Sequence, residues 1–255
     1  MAFIDFGLIF VLTNDSLTFN WARLGNYMFT VTVVNSKGGA GKTTLSTNIA
    51  SYYAKSNYKT ALIDYDSQGS STFWLKRRPE SAPTIQSIAA YKPSTNVTRS
   101  WFVRPEANTQ KAVVDSPSSL DVLAFRNILT QSDVIIIPVL PSAIDIHAAS
   151  HFIADLLLIA KVSKSDGRIA VLANRSRKNT LVYQQLEKFL TSLGITFITT
   201  LRDTQNYVKA SEQGLGIFEL NGGTIHKDIE TWQPLLNWLE KRAQLSNDSV
   251  QTKLG

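Results

Sequence analysis

A chain of 255 residues, 44% of them hydrophobic, has room for one α/β domain or two small ones around a sizeable core. It contains no cysteine, which excludes disulfides, thiolate metal sites and cysteine nucleophiles and fits a reducing cytosol. The net charge of +6 is compatible with binding to nucleic acid or to an anionic membrane and selects neither.

Residues 1–27 read apart from the rest. The run from Phe3 to Leu12 is apolar but too short to span a bilayer. It has no basic leader, and no small-residue cleavage site follows it. Met28 stands just before the first β-branched run, so residues 1–27 are expected to be an extension outside the core. The rival is an added edge strand or an arm that contacts a partner. A segment this short holds no helix-turn-helix, which argues against operator-specific DNA binding.

The next stretch organises the chain. Val31-Thr32-Val33-Val34 leads into Asn35-Ser36-Lys37-Gly38-Gly39-Ala40-Gly41-Lys42-Thr43-Thr44, and a helical pattern to about Lys55 leads out. A strand, a glycine-rich loop and a helix in that order make a phosphate cradle. Glycines let successive N–H groups turn inward on a polyphosphate, and the helix N-terminus adds unpaired N–H groups and partial positive charge. Lys42 would reach the β- and γ-phosphates, and the Thr43 hydroxyl would sit on Mg²⁺. Ser36 stands where the general pattern has its first glycine.

Further on, Ala61-Leu62-Ile63 reads as a buried parallel strand with Asp64 and Asp66 at its carboxyl end, where open α/β sheets place their ligands. Prolines 79, 83 and 93 make residues 76–110 irregular, with one short helix expected around Ile85–Ala90. Lys111–Asp115 is a short buried strand ending in an aspartate. Asp133–Val139 is the most apolar strand, and a helix follows from about Ile144 to Ala160. His147 and His151, spaced i, i+4 on that helix, could suggest a metal pair, but no third ligand is evident. Arg168–Arg175 is a further strand. A helix over Thr180–Leu193 and a strand over Ile195–Thr200 come next. The last helix carries Trp232, Leu235, Leu236 and Leu239 on one face, which should dock on the core. Residues 246–255 are polar and read as a flexible tail, unlike a basic amphipathic membrane anchor.

Lys37 to Thr44 resembles the deviant Walker A motif, K-G-G-x-G-K-[ST]-[ST], of the ParA/MinD family of P-loop ATPases. Three later segments are similar to family motifs in the same order. Asp64-Tyr65-Asp66-Ser67-Gln68-Gly69 resembles D-x-D-P-Q-G with a serine for the proline. Val113-Val114-Asp115-Ser116-Pro117-Ser118 resembles a Walker B segment, and Ile136-Ile137-Pro138-Val139-Leu140-Pro141-Ser142 resembles I-I-P-V-x-P-S. The tract from Arg202 to Glu219 is similar to the family's later R-x-x-x-x-A-x-x-x-G-x-x-V-x-E region. The resemblance spans about residues 29–242.

It implies a three-layer P-loop NTPase fold, a mostly parallel twisted sheet with helices on both faces. It divides the chain into residues 1–27, an ATPase domain over 28–245 and the tail at 246–255. It implies ATP/ADP and Mg²⁺ as ligands and Lys37, Lys42 and Asp66 as catalytic residues. Asp66 would orient the attacking water, with Asp64 a more structural partner. The nucleotide would be bound by Lys37, Gly38, Gly39, Ala40, Gly41, Lys42, Thr43 and Thr44, with Asn174 and Arg175 on the adenine side. Thr43, Asp66 and Asp115 would hold Mg²⁺. An amide such as Asn174 both donates to and accepts from a base edge. Without cysteine the iron–sulfur and arsenite-pump branches drop out, and without a tyrosine cluster in the tail so does the tyrosine-kinase branch.

The remaining small ParA branch implies an ATP sandwich homodimer in which Lys37 reaches the partner's phosphates, non-specific DNA binding, and a ParB-like or equivalent cargo-adaptor protein that stimulates hydrolysis. The cargo would be a plasmid, a chromosome or a protein organelle such as the carboxysome. It implies a cytoplasmic protein, nucleoid-associated with ATP, and no stable membrane anchor. Lys178, Arg202, Lys209, Lys227, Lys241 and Arg242 are candidate phosphate contacts on DNA. The alternatives are a metabolic enzyme of the same fold, of the dethiobiotin-synthetase type, and a membrane-cycling MinD relative.

Overall fold

The computed structural model describes residues 27–92, 104–163, 165–177, 180–192, 194–223 and 225–254, together with short strands between residues 4 and 19. Those strands are β1 (Ile4–Asp5), β2 (Leu8–Thr13) and β3 (Ser16–Phe19). They pair antiparallel with one another as a separate three-stranded sheet and take no place in the main one.

The main sheet has seven strands in the order β10-β9-β8-β4-β7-β5-β6, and every pairing in it is parallel. They are β4 (Phe29–Val33), β5 (Thr60–Asp64), β6 (Ile85–Ala89), β7 (Lys111–Asp115), β8 (Val134–Val139), β9 (Ile169–Ser176) and β10 (Thr196–Arg202). The helices are α1 (Lys42–Lys55), α2 (Ser70–Lys76), α3 (Arg126–Gln131), α4 (Ala143–Leu158), α5 (Leu181–Ser192), α6 (Asn206–Glu212) and α7 (His226–Leu254).

The central strands are apolar on both sides, and alternate residues feed two cores. Ile135 and Ile137 face one layer with Phe152, Leu156, Leu186 and Leu190 of α4 and α5. Val134 and Ile136 face the other with Leu45, Ile49 and Tyr53 of α1 and with Trp232, Leu235, Leu236 and Leu239 of α7. The expected docking face of the last helix is therefore buried, and the indole N–H of Trp232 donates to the Tyr207 hydroxyl at 2.8 Å. Helices on both faces of a parallel sheet are the three-layer arrangement the motifs imply.

Two expectations fail. No helix forms at Ile85–Ala90; β6 is there instead, an edge strand in parallel register with β5 from Thr60↔Ile85 to Asp64↔Ala89. Two isoleucines three apart read as one helical face, but in a strand that odd spacing sends them to opposite faces. Ile85 joins the layer of α1, and Ile88 joins the layer of α4. The residues from 246 on do not leave the last helix, because α7 runs to Leu254. They are polar, but after Pro234 neither glycine nor proline interrupts the helix before its end. Extension of a formed helix is far easier than its nucleation.

The strands place the chemistry. Their carboxyl ends carry the phosphate loop after β4, Asp64 and Asp66 after β5, Asp115 at the end of β7 and Asn174 near the end of β9. Register sets Asp64 directly beside Asp115.

Candidate functional site

The loop between β4 and α1 is tied down from below. Asn35 is buried; its amide donates to the Pro138 carbonyl at 2.7 Å, and its side-chain oxygen accepts the Lys37 N–H at 2.9 Å. Gly41 opens α1 in the left-handed region at φ 93°, and no side chain caps the helix. A Cβ there would lie 2.1 Å from the Asn174 amide nitrogen, so glycine is required. The first N–H groups of α1 have no acceptor within the helix and point toward the loop, an arrangement suited to an anion.

Lys42 is buried, and its ammonium donates to the Lys37 carbonyl at 3.2 Å. Burial lowers its pKa, while the carboxylates of Asp115 and Asp66 pull the other way. Lys42 thus lies between the loop and two acidic strand ends, as a phosphate ligand should.

Three aspartates share this end of the sheet and differ in what they hold. Asp64 accepts from the Thr72 N–H and hydroxyl, each at 2.9 Å, and from the Asp66 N–H at 3.0 Å. Its two oxygens are thus taken up by the first turn of α2 and by the loop that leads to it. Asp66 accepts the Gln68 N–H at 3.0 Å and the Ser118 N–H at 3.1 Å. It therefore joins its own loop to the loop that follows β7. Asp115 is fully buried and takes the Ser46 hydroxyl on one oxygen at 3.2 Å. Its other oxygen, Oδ2, has no hydrogen-bond partner among the described residues. Burial raises its pKa to about 7, and the nearby Asp64 charge adds to that, against the hydroxyls of Thr43, Ser46 and Ser71. A buried carboxylate with one bare oxygen beside the Thr43 hydroxyl fits a divalent cation and its bound water.

Other expected residues divide. Both ends of the Asn174 amide face inward, one donating to the Ala40 carbonyl at 2.8 Å and the other accepting the Arg175 N–H at 3.0 Å. In this state Asn174 braces the phosphate loop. Arg175 is exposed on left-handed backbone at φ 48°. Of the candidate DNA contacts, Lys178 lies outside the described residues. Lys209, Lys227 and Lys241 are exposed. Arg202 is committed to the buried carboxylate of Asp228 at 2.9 Å, and the Arg242 guanidinium has its Nε buried and its Nη1 beside Gly167. Arg202 is nonetheless exposed, and Arg242 is half-buried. His147 and His151 approach to 3.3 Å on α4, and among the described residues no group of three or more metal-ligating side chains forms.

Asn35, Ser46 and Asp145 hold candidate site residues in place and are absent from the candidates read in the sequence. Asp145 forms an ion pair with Lys37 at 2.7 Å. Its signal was present as Ser142-x-x-Asp145, a capping-box spacing at the start of a helix. Beside the loop, a cleft of about 430 Å³ runs between residues 120–123 and α4, with Ser36, Leu123, His151, Phe152 and Asp155 on its wall. It adjoins the phosphate cradle and is not part of it.

Residues 31–217 match the family described as the CobQ/CobB/MinD/ParA nucleotide binding domain. The chain belongs to that family. Among its members, maintenance of carboxysome distribution protein A of Halothiobacillus neapolitanus is 30% identical over 196 residues, 76% of this chain and 89% of that protein. Two solved structures share the fold at lower identity. A putative plasmid partition protein of Borrelia burgdorferi B31 bound to AMPPNP is 19% identical, with a TM-score of 0.64 over 83% of this chain and 99% of that one. Apo McdA of Cyanothece is 17% identical, with a TM-score of 0.62 over 82% and 100%. A family member with this cradle has the ParA/MinD nucleotide-binding ATPase fold. Among the described residues no helix is long and apolar enough to cross a membrane.

Proposed function

We propose that the protein is a ParA-type ATPase that dimerises on ATP, binds DNA non-specifically and positions a cargo. The observation that carries this is the bare Asp115 oxygen beside an uncapped helix N-terminus, with Lys37 on the rim of the same loop. The relatives support a positioning role, one named for carboxysome distribution and one for plasmid partition. Residues 1–27 would lie outside the ATPase core.

The loop N–H groups and Lys42 bind the phosphates, and Arg175 and Asn174 lie on the adenine side. Thr43, Asp66 and Asp115 would hold Mg²⁺, which when bound offsets the negative charge of the phosphates. Asp66 orients the water that attacks the γ-phosphorus as ADP leaves. Lys37 reaches across to the partner's phosphates and meets the charge that develops there. Exposed lysines, Lys209, Lys227 and Lys241 among them, contact DNA phosphates without reading sequence. A cargo-bound adaptor of the ParB type stimulates hydrolysis, the dimer loosens and DNA is released, so the γ-phosphate biases the switch. The protein would then sit in the cytoplasm, on the nucleoid when ATP is bound.

Light scattering with Mg²⁺ and no nucleotide, ADP, ATP or a slowly hydrolysed analogue tests this. A dimer with ATP and the analogue alone is expected. A monomer in every state, with nucleotide still bound, would instead favour a metabolic enzyme of the same fold.

A further inference from the structure

Lys37 is held within its own subunit. Its ammonium lies 2.7 Å from Asp145 Oδ1, and its side chain is 37% exposed while that of Asp145 is 11% exposed. The carboxylate is fixed in turn. The Asp145 N–H donates to the Ser142 hydroxyl oxygen at 3.1 Å, and the Ser142 O–H donates to Asp145 Oδ2. One carboxylate oxygen thus serves the helix cap and the other serves Lys37. The backbone of Lys37 is tied to the same part of the fold, because Asn35 bridges the Lys37 N–H to the carbonyl of Pro138 on β8. The turn from β8 into α4 therefore holds both the main chain and the charge of this lysine.

We infer that Asp145 is a positioning residue for Lys37, one that keeps the ammonium in its own subunit and so sets the threshold for dimerisation. This rests on the reading in which Lys37 acts across an ATP dimer. To reach a partner's phosphates the ammonium must leave Asp145, and a dimer breaks this pair twice. A triphosphate offers more negative charge than one carboxylate, so it can win the competition. Half-exposed ion pairs are modest in strength, which makes this a tunable threshold and not a lock.

Asp145→Asn keeps the shape and the cap acceptor while removing the charge. Dimer dissociation is measured by analytical ultracentrifugation with Mg²⁺ and the slowly hydrolysed analogue, on the full chain and on the Asp145→Asn and Asp145→Glu variants. With each pair holding back dimerisation about threefold, the Asp145→Asn dimer should be about tenfold tighter than wild type. That gain should largely vanish between about 50 mM and about 500 mM salt, which screens the pair. Asp145→Glu should return toward wild type, and monomer nucleotide affinity should stay within about twofold. An Asp145→Asn dimer as weak as wild type or weaker, or a gain that salt leaves unchanged, would assign Asp145 to helix capping alone. A wild-type protein that stays monomeric with every nucleotide would overturn the dimer reading itself and this role with it.

Discussion

Strand β7 ends in two buried charges, and they are treated in opposite ways. At its amino end the ammonium of Lys111 sits 4.7–4.8 Å from the ring centroids of Phe29, Tyr53 and Tyr58, with Glu240 at 3.9 Å. Burial lowers its pKa and Glu240 opposes that. Its company comes from the chain itself: three ring faces and a carboxylate. At the carboxyl end Asp115 has the Ser46 hydroxyl on one oxygen and no hydrogen-bond partner among the described residues on the other, with the Thr43 and Ser71 hydroxyls close by. Three residues of one strand thus separate a charge whose partners are built in from a carboxylate that, on the proposed reading, takes a cation from outside. On the proposed reading the first serves stability and the second serves function.

Substitutions at the two ends should therefore move different measurements. The largest effect is expected at Lys42. Lys42→Ala removes the cation that faces Asp115 and Asp66. Nucleotide affinity measured by calorimetry should fall about 100-fold, and nucleotide-driven dimerisation should disappear. Asp66→Ala should still bind ATP but hydrolyse it about 100-fold more slowly, so size exclusion with ATP should show a trapped dimer. A monomeric Asp66→Ala protein would count against its assignment to water activation.

Asp115→Asn sharpens the contrast through pH. The folded pKa of about 7 lies above the ordinary 3.8, so the protonated form favours the fold. This contribution is fully present below pH 3.8 and is lost as pH rises through about 7. Urea unfolding of the nucleotide-free protein at about pH 5 and about pH 8 should show wild type losing at most about 3 kcal/mol relative to Asp115→Asn. The variant should in return lose most of the extra stability that Mg²⁺ with nucleotide confers. The smallest effect is at the other end. Lys111→Met should cost about 1–2 kcal/mol in unfolding and leave nucleotide affinity within about twofold. A large loss of affinity there would tie Lys111 to nucleotide binding as well as to stability.

Much of this was legible before any coordinates. The strands β4, β5 and β7 are apolar runs closed by Asn35, Asp64 and Asp115, and a parallel sheet gathers such ends at one edge. Lys42, Thr43 and Asp115 meet there because their strands do. What stayed hidden depends on contacts distant in sequence. Nothing local says that Asn174 braces Ala40 across 134 residues, or that Arg202 is committed to Asp228. The capping spacing at Ser142 marks a helix start but does not show that Asp145 also faces Lys37. Strand β6 was missed because two isoleucines three apart fit either period, and only the unpaired edge of β5 decides between them. The helical end of α7 was missed because composition describes a solvated surface as readily as a loose chain.

On the proposed reading, nucleotide state governs attachment to DNA. Its most direct test is binding to random-sequence duplex DNA with no nucleotide, ADP, ATP and a slowly hydrolysed analogue, at low and high salt. Binding with ATP or the analogue alone, weakened by salt, is the expected result. Nucleotide binding without DNA binding in any state would contradict it.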